Sequence, residues 1–265
     1  MSNKLAVVTG ASSGIGKELA RVFAENGFDL VINSAGERLE SAEQELQSLG
    51  VQVTSVKADL ATYEGCEQFW QGVERLGRAV DAIAINAGVG VGGKFVETPL
   101  DEEINLVRLN VEGTLHVTKR AVQHMTKRGQ GRILITSSIA GEMVAPREAV
   151  YAGSKAFDLS FAKSIREELE GTGVTVTALQ PGPTDTDFFH RAGMDNTPVG
   201  QEGKKENSPY EVAKQGYEAL MSGEQHVYAG NWKVKAEGST SNITPDSLQA
   251  TMHEKQAKPK DEKAA

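Results

Sequence analysis

The segment Thr9-Gly10-Ala11-Ser12-Ser13-Gly14-Ile15-Gly16 decides the fold, because it joins an apolar run at residues 5–8 to a helical pattern at residues 15–26. Unpaired N–H groups at a helix N-terminus, together with the helix macrodipole, attract a phosphate group. The three glycines leave these amides accessible because they carry no side chains. The segment therefore predicts a strand, a phosphate-binding turn and a helix.

Two other interpretations of this segment remain open. A glycine-rich turn can join a strand to a helix without binding any ligand. Residues 10–14 also match the G-x-S-x-G pattern of hydrolase nucleophile elbows, with Ser12 as the nucleophile. That elbow needs an acidic residue and then a histidine downstream, and five histidines are present. It normally follows a strand deep in the sheet order, however, whereas this strand is the first.

Short apolar runs alternate with longer helical patterns along the chain. The runs indicate strands buried on both faces and lie at residues 5–8, 28–32, 51–56, 80–85, 132–136, 174–179 and 225–229. The helical patterns lie at residues 15–26, 37–49, 63–76, 100–127, 150–170 and 209–221. This alternation predicts right-handed crossovers. The predicted fold class is α/β: a single Rossmann-like, doubly wound domain with a seven-stranded, mostly parallel sheet flanked by helices.

Two polar segments interrupt the alternation. Residues 184–208 are rich in Gly and Pro but contain Phe188 and Phe189, which predicts either a substrate lid or a disordered insertion. Residues 237–265 end in a Lys/Glu/Ala-rich stretch, which predicts a solvated tail with room for one short helix. We therefore expect a main domain at residues 1–236, followed by this polar C-terminal tail.

Composition and charge argue against several classes of protein. The formal net charge of -8 disfavours nucleic acid as a partner, because an acidic surface repels phosphate backbones. No apolar run approaches the ~18 residues that a membrane helix needs, and no signal peptide or lipid anchor is expected. The single cysteine, Cys66, cannot form an intramolecular disulfide, which suits a cytoplasmic protein. The histidines lack metal-ligand spacing, so no metal site is expected.

Tyr151 and Lys155 lie four residues apart at the start of a predicted helix, so their side chains share one face. A nearby ammonium group lowers the pKa of a tyrosine from its usual ~10, which permits general acid or base catalysis. The same spacing occurs at residues 210–214, but only Tyr151 follows a strand that ends in serines. Ligands bind beyond the carboxyl ends of such strands, so we expect Ser138 to donate a hydrogen bond to a reacting oxygen.

Further motifs follow other predicted strands: Asp59-Leu60, Asn86-Ala87-Gly88 and Pro181-Gly182. In order and spacing, the motifs together resemble the classical short-chain dehydrogenase/reductase family over roughly residues 4–230. One position departs from the family pattern, because Ile85 stands where the first Asn of a doublet is usual. On this resemblance, residues 1–236 form an NAD(P)-binding catalytic domain.

The resemblance implies the residues of the site. The catalytic set would be Asn110, Ser138, Tyr151 and Lys155. The cofactor would be bound by the glycine loop, the strand ends and the tyrosine–lysine pair, that is by Gly10, Ser12, Ser13, Gly14, Ile15, Gly16, Ser34, Asp59, Leu60, Asn86, Ala87, Gly88, Tyr151, Lys155, Pro181, Gly182 and Thr184.

The resemblance also implies the chemistry: transfer of a hydride between a nicotinamide cofactor and a carbonyl or secondary alcohol. Tyr151 would transfer the proton while Ser138 polarises the reacting oxygen. Lys155 would lower the pKa of the tyrosine and bind the nicotinamide ribose, and Asn110 would help to hold a relay water. The competing hypothesis is a non-catalytic dinucleotide-binding regulator, which would not require the serine, tyrosine and lysine.

In this family the segment after the second strand selects the cofactor, because an acidic residue pairs with the ribose 2′-hydroxyl of NAD and a basic residue pairs with the 2′-phosphate of NADP. Here residues 33–38 read Asn-Ser-Ala-Gly-Glu-Arg, with no acid at the strand end. Ser34 is placed to bind a 2′-phosphate, and Arg38 or Lys17 is placed to reach it. NADP(H) is therefore favoured, and NAD(H) remains possible.

The resemblance further implies a small-molecule carbonyl or alcohol as the partner in the reaction. It implies a homodimer or homotetramer that is built on the helices at residues 100–127 and 150–170. The motifs do not identify the substrate. Apolar side chains at Phe188, Phe189 and Met194 suggest a medium-sized apolar ligand.

Overall fold

Seven parallel strands form the central sheet in a computed structural model of the chain, which describes residues 3–201, 207–241 and 244–262. The strands are β1 (Lys4–Thr9), β2 (Phe28–Ser34), β3 (Val53–Lys57), β4 (Ala82–Ile85), β5 (Gly131–Thr136), β6 (Val174–Pro181) and β7 (His226–Ala229). Their order is β3-β2-β1-β4-β5-β6-β7, and every neighbouring pair is parallel. The predicted fold class is confirmed, and all of the described pairings are parallel.

Helices cover both faces of the sheet and connect its strands. They are α1 (Gly14–Glu25), α2 (Leu39–Gln47), α3 (Tyr63–Glu74), α4 (Leu100–Val107), α5 (Thr114–Arg128), α6 (Ala149–Glu168), α7 (Phe188–Arg191), α8 (Pro209–Ser222), α9 (Trp232–Ser241) and α10 (Asp246–Ala257). A 3₁₀ turn, Ile139–Glu142, precedes α6. None of the described helices is both long enough and apolar enough to cross a membrane.

A π-helical turn, Arg108–Gly113, divides the single helix that the sequence predicts at residues 100–127. Gly113 packs so closely there that an added Cβ would lie 2.5 Å from the carbonyl oxygen of Leu60. The turn places Asn110 in the interior, where the residue is fully buried. Such turns inside α-helices are frequent at functional sites. Apolar periodicity does not reveal this turn, because one inserted residue barely changes the pattern.

Two apolar clusters hold the layers together, one on each face of the sheet. Alternate residues of a strand point to opposite faces, so the neighbouring residues Ile133 and Leu134 belong to different clusters. Phe69 and Met125 of α3 and α5 pack in the first cluster, and Phe23 of α1 packs in the second. Because both faces are covered, the strands read as continuous apolar runs rather than alternating ones.

The strand order reverses between β1 and β4, and this point positions the functional site. The Oγ1 atom of Thr9, at the end of β1, accepts hydrogen bonds from the backbone amides of Asn86 at 2.9 Å and Ala87 at 3.0 Å. These bonds hold the glycine loop against the segment after β4. In open α/β sheets the ligand crevice lies at such a reversal, beyond the carboxyl ends of the strands.

The C-terminal segment differs from the solvated tail that its composition indicates at residues 237–265. Its described part contains the second half of α9 and all of α10, and α10 buries Gln249, His253 and Ala257. Acidic side chains of the segment pair with a buried arginine, and this pairing explains how a polar segment can pack against the domain. Residues 242–243 and 263–265 lie outside the described residues.

Arg147 attaches this segment to the rest of the protein. Its backbone adopts φ 69°, and its buried guanidinium pairs with Glu254 at 2.8 Å and with Glu262 at 2.7 Å. Hydrogen bonds from Arg147 and Lys94 lower the pKa of Glu262 to about 2. The stabilisation from this carboxylate is therefore present above its ordinary pKa of 4.5 and is lost as the pH falls towards 2.

The predicted lid at residues 184–208 is described except for residues 202–206. Its helix α7 and the residues that follow form a third apolar cluster with the C-terminal helix, made of Phe189, Ala192, Met194, Val199 and Ala257. The described part is therefore packed against α10. Its function as a substrate lid stays a prediction.

Candidate active site

A cavity of about 410 Å³ opens at the carboxyl edge of the sheet, beyond β1, β4 and β5. Almost all of the predicted site residues line it: Gly10, Ser12, Ser13, Gly14, Ile15, Ser34, Asp59, Leu60, Asn86, Ala87, Gly88, Ser138, Tyr151, Lys155, Pro181, Gly182 and Thr184. Gly16 and Asn110 do not line the cavity. The structure therefore brings together residues from most of the chain, and it places these two behind the wall.

The glycine loop forms a narrow turn against the segment after β4. Gly10 has φ 68° and Gly14 has φ 56°, a left-handed conformation that side chains disfavour. An added Cβ on Gly16 would lie 2.3 Å from the carbonyl oxygen of Gly10 and 2.5 Å from Nδ2 of Asn86. Gly16 therefore serves close packing rather than contact with a ligand.

The N-terminus of α1 fits a diphosphate group. Its N-cap residue, Ser13, makes no side-chain capping hydrogen bond, so the first amides of the helix are not satisfied by that side chain. Gly14 adds no side chain between these amides and the cavity, which it lines. A dinucleotide diphosphate fits this N-terminal turn, and the positive end of the helix dipole stabilises its negative charge.

Ser12 participates in a different contact from the one that a nucleophile elbow requires. Its Oγ atom lies 2.9 Å from Oγ of Ser34, at the end of β2. A hydrolase would need a histidine against this serine. The histidine that lines the cavity, His253, pairs instead with Glu148. The hydrolase interpretation therefore lacks the base that its chemistry requires.

The end of β2 presents polar groups to the cavity. The backbone amide of Gly36 donates to Oγ of Ser34 at 3.1 Å. Arg38 lines the same region and forms an ion pair of 2.6 Å with Asp187, just before α7. Both partners of this pair are more than half exposed, with side-chain exposures of 56% and 52%. Because exposed pairs stabilise weakly, the Arg38 guanidinium is available to another anion.

Ser138 and Tyr151 face each other in the cavity wall. The Ser138 hydroxyl lies close enough to the phenol to lower the pKa of Tyr151. The hydroxyl of Ser138 also accepts from the backbone amide of Ala140 at 3.2 Å, which fixes the serine at the start of the 3₁₀ turn. The ring of Phe188 in α7 packs on Tyr151, with 5.1 Å between the ring centroids. The Tyr151 ring is thus covered on one side by an apolar residue of the predicted lid.

Lys155 is buried one helical turn beyond Tyr151. Its Nζ atom donates to the carbonyl oxygen of Thr136 and to Oδ2 of Asp158, at 2.9 Å in each case. It lies 6.0 Å from the centre of the Tyr151 ring. Asp158 is fully buried, and its Oδ1 atom has no partner among the described residues. The ammonium group therefore has a carboxylate as its direct counter-charge.

The pKa of Tyr151 is raised well above its usual value of 10, in contrast to the lowering that the sequence predicts. Burial is the main cause, because it penalises the phenolate. The charges of Glu148 and Asp158 raise the pKa further, and the hydrogen bond with Ser138 opposes them. The difference arises mainly because Tyr151 is buried, and burial is not part of the tyrosine–lysine spacing.

Asn110 holds the loop after β4 with its whole side-chain amide. Its Oδ1 atom accepts from the backbone amide of Val89 at 2.9 Å, and Nδ2 donates to the carbonyl oxygen of the same residue at 2.9 Å. Nδ2 also donates to Oγ of Ser154 at 3.1 Å. Its side chain therefore connects this loop to α6. That Asn110 helps to hold a relay water stays a prediction.

Sequence reasoning missed three charged or titratable residues of the site. The sequence contained a signal for two of them, since Asp158 follows Lys155 by three residues and Glu148 precedes Tyr151 by three residues. His253 had none, because only the docking of α10 brings it to the cavity. Among the described residues, no group of three or more metal-ligating side chains is arranged to hold a metal ion.

The chain matches the family model described as short chain dehydrogenase over residues 4–197. It is 33% identical to oxidoreductase UcpA of Salmonella typhimurium over 199 residues, which cover 75% of this chain and 76% of that protein. It is 35% identical to 1-deoxy-11-beta-hydroxypentalenate dehydrogenase of Streptomyces exfoliatus over 236 residues, which cover 87% and 84% of the two chains.

A short-chain dehydrogenase from Sphingobium yanoikuyae, solved in complex with NADPH, superimposes with a TM-score of 0.77 at 26% identity, covering 84% of this chain and 86% of that one. The chain therefore belongs to the short-chain dehydrogenase/reductase family. It is an NAD(P)-dependent oxidoreductase with a Rossmann-like nucleotide-binding fold.

We predict that Gly16→Ala disrupts the glycine loop. Its Cβ would collide with the backbone of Gly10 and the amide of Asn86, and such overpacking costs ~1–3 kcal/mol. Thermal unfolding should therefore occur at a lower temperature, and dinucleotide binding measured by fluorescence titration should weaken. Gly153→Ala is the matched control, because nothing lies within 4 Å of that exposed helical position. An unchanged loop variant would contradict the packing role.

Proposed function

We propose that this protein reduces carbonyl compounds, or oxidises the matching secondary alcohols, with NADP(H) as the hydride carrier and Tyr151 as the general acid or base. One observation carries the proposal: Ser138 and Tyr151 lie close together and line the same cavity as the uncapped, glycine-lined N-terminus of α1. A nicotinamide cofactor supplies or accepts the hydride when bound there. The remaining steps depend on side chains of this chain.

In reduction, the phenol of Tyr151 donates its proton to the oxygen of the substrate as negative charge develops on it. Ser138 donates a hydrogen bond to the same oxygen and holds it beside the phenol. The raised pKa of Tyr151 keeps the phenol protonated at neutral pH, which suits the reductive direction. The Lys155 ammonium then stabilises the phenolate that remains, and Asp158 limits how strongly it does so.

Residues at the end of β2 support NADP(H) over NAD(H). No acidic side chain stands at the position where one would repel a 2′-phosphate, since residues 33–36 are Asn, Ser, Ala and Gly. Ser34 and Gly36 offer a hydroxyl and a backbone amide on the cavity side. Arg38 is held beside them by a weak, exposed pair with Asp187, and a phosphate dianion would compete for it.

The proposal includes a homodimer or homotetramer. Helices α4 and α5 expose three large apolar side chains, with Leu100 71%, Ile104 43% and Leu115 43% exposed. These residues lie on the helices that the family resemblance assigns to subunit contacts, and apolar patches of this kind mark association sites.

We also propose a cytoplasmic location. The single cysteine, Cys66, is a free and buried thiol, which suits a reducing compartment.

We expect Tyr151→Phe to reduce kcat by roughly 10²–10⁴-fold, because it removes the proton donor and keeps the ring. NADPH binding, measured by fluorescence titration, should change little. Tyr210→Phe is the matched control: it has the same spacing to a lysine, but its hydroxyl bonds Glu25 on the surface. Full activity in Tyr151→Phe would refute the proposal. Binding of NADPH without turnover of any carbonyl by the wild type would favour the regulator hypothesis.

We expect Asp158→Asn to shift the pH profile of alcohol oxidation to lower pH by about one unit. The negative charge of Asp158 raises the pKa of Tyr151, so a neutral amide should lower it and yield the phenolate base at lower pH. The measurement is kcat/KM for alcohol oxidation against pH with saturating NADP⁺. Glu167→Gln, on the exposed side of α6, should leave the midpoint unchanged. An upward shift would contradict the assigned role of Asp158.

We expect Arg38→Ala to weaken NADPH binding roughly 10- to 100-fold, which is the usual effect of losing a hydrogen-bonded charge partner. NADH binding should change little, because NADH has no 2′-phosphate. Dissociation constants of both cofactors, measured by calorimetry, give the comparison. Arg21→Ala serves as the control, because that guanidinium pairs with Glu25 on the surface of α1. Equal loss for both cofactors would count against the assigned phosphate contact.

A further inference from the structure

One wall of the cavity carries a buried ion pair from two distant parts of the chain. Glu148 is the residue immediately before α6, and His253 lies on α10. The Nε2 atom of His253 is 3.1 Å from Oε2 of Glu148, and the side chains are only 7% and 6% exposed. Both residues line the same cavity as Tyr151. The proposed mechanism gives neither of them a role in hydride or proton transfer.

A hydrogen bond orients the imidazole ring of His253. Its Nδ1 atom is 3.0 Å from the carbonyl oxygen of Pro146, and a carbonyl only accepts, so Nδ1 carries a proton. Nε2 is therefore the ring atom that faces Oε2 of Glu148. The imidazole thus occupies one of the two oxygens of the carboxylate.

The second carboxylate oxygen of Glu148 is the group that matters to a ligand. No described residue donates a hydrogen bond to Oε1, although the side chain is more than nine-tenths buried. Glu148 is the N-cap residue of α6 and precedes Tyr151 by three residues, and both residues line the cavity. A ligand that reaches the tyrosine therefore lies close to this acceptor.

Apolar side chains line the cavity beside polar ones such as Arg191 and Gln256. Met143, Phe188, Phe189 and Val199 line it, and the 3₁₀ turn contributes Ile139. A substrate that fills such a space displaces water from the carboxylate. An acceptor left without a donor in an apolar site costs about 1–3 kcal/mol, so a ligand that brings a donor is preferred.

We infer that Glu148, held in place by His253, is a substrate-recognition group that accepts a hydrogen bond from a hydroxyl on the carbonyl substrate. The inference rests on the proposed function and adds the class of substrate: a medium-sized, largely apolar ketone or aldehyde that bears a hydroxyl group. A hydroxyl supplies the donor that Oε1 lacks without placing a further charge in the cavity. His253 is a positioning residue, since it acts through Glu148.

The C-terminal segment contributes to this specificity by fixing His253. Arg147, the residue before Glu148, pairs with Glu254 of α10, next to the histidine. It also pairs with Glu262 beyond that helix. The same short loop therefore supplies both the recognition carboxylate and the cation that docks its partner helix. The recognition group is correctly oriented only when α10 is docked.

The test compares cyclohexanone with 2-, 3- and 4-hydroxycyclohexanone, which share one carbon skeleton. Their dissociation constants are measured by calorimetry on the full-length protein loaded with 1,4,5,6-tetrahydro-NADP, an analogue that neither donates nor accepts a hydride, so that neither the ketone nor the hydroxyl group reacts. We expect at least one hydroxyketone to bind roughly 10- to 100-fold more tightly than cyclohexanone. In parallel, kcat/KM for each ketone is measured with NADPH.

Glu148→Leu removes the acceptor, so the ratio between the hydroxyketone and cyclohexanone should fall to about one. His253→Gln keeps a hydrogen-bond donor towards Glu148 but removes the imidazole ring, so it should lower the ratio in part. If the leucine variant does not fold, this second variant still tests the inference. Glu167→Gln, an exposed glutamate of α6, should keep the wild-type ratio. Thermal unfolding of each variant checks that the protein is folded.

Equal affinity of the wild type for all four ketones would overturn the inference, as would an unchanged ratio in both the Glu148→Leu and His253→Gln variants. These outcomes do not depend on turnover. A binding preference that Glu148→Leu abolishes, together with no reduction of any ketone by the wild type, would support the recognition site and count against the proposed reaction alone.

Discussion

The close approach of the glycine loop to the segment after β4 is the constraint on which the site depends. The hydroxyl of Thr9 accepts hydrogen bonds from two backbone amides there. An added Cβ on Gly10 would lie 2.9 Å from the Cα atom of Ala87. This contact exists only because the strand order reverses between β1 and β4. It creates one crevice in which the amides of α1 and the strand ends face the same ligand, so loss of either part removes the binding site.

The electrostatics of the site are governed by carboxylates as much as by the lysine. Lys155 is buried, and a buried ammonium needs a counter-charge, which Asp158 supplies at 2.9 Å. Tyr151 thus lies near a neutral pair instead of a free cation, with a second pair, Glu148 and His253, on its other side. Burial is the main reason that the pKa of the phenol is raised, and the neighbouring carboxylates raise it further, so the phenol stays protonated. The raised pKa explains how a tyrosine in this cavity can serve as a proton donor at neutral pH, which is the role that reduction requires.

The C-terminal segment shows how a polar sequence becomes part of a core. Helix α10 buries His253 and Ala257 against the loop before α6 and the residues after α7. Glu254 of this helix and Glu262 beyond it pair with one buried cation, Arg147. The backbone of Arg147 adopts a conformation that residues with side chains rarely adopt. Local composition predicts solvation because it does not include a partner more than a hundred residues away. Tertiary contact therefore turns an apparent tail into one wall of the cavity.

The sequence by itself determined the α/β class, the strand positions to within about two residues, and a set of site residues of which almost all line the cavity, such as Gly14, Ser138 and Tyr151. These depend on local periodicity, turn chemistry and the rule that parallel strands end at one edge. Only the tertiary structure decided the π turn at Asn110, the pairing of Lys155 with Asp158, and the arrival of His253 at the cavity. Each of these depends on burial or on contacts between distant segments. The pKa of a group such as the Tyr151 phenol is likewise set by burial and by distant charges, and residue spacing alone does not set it.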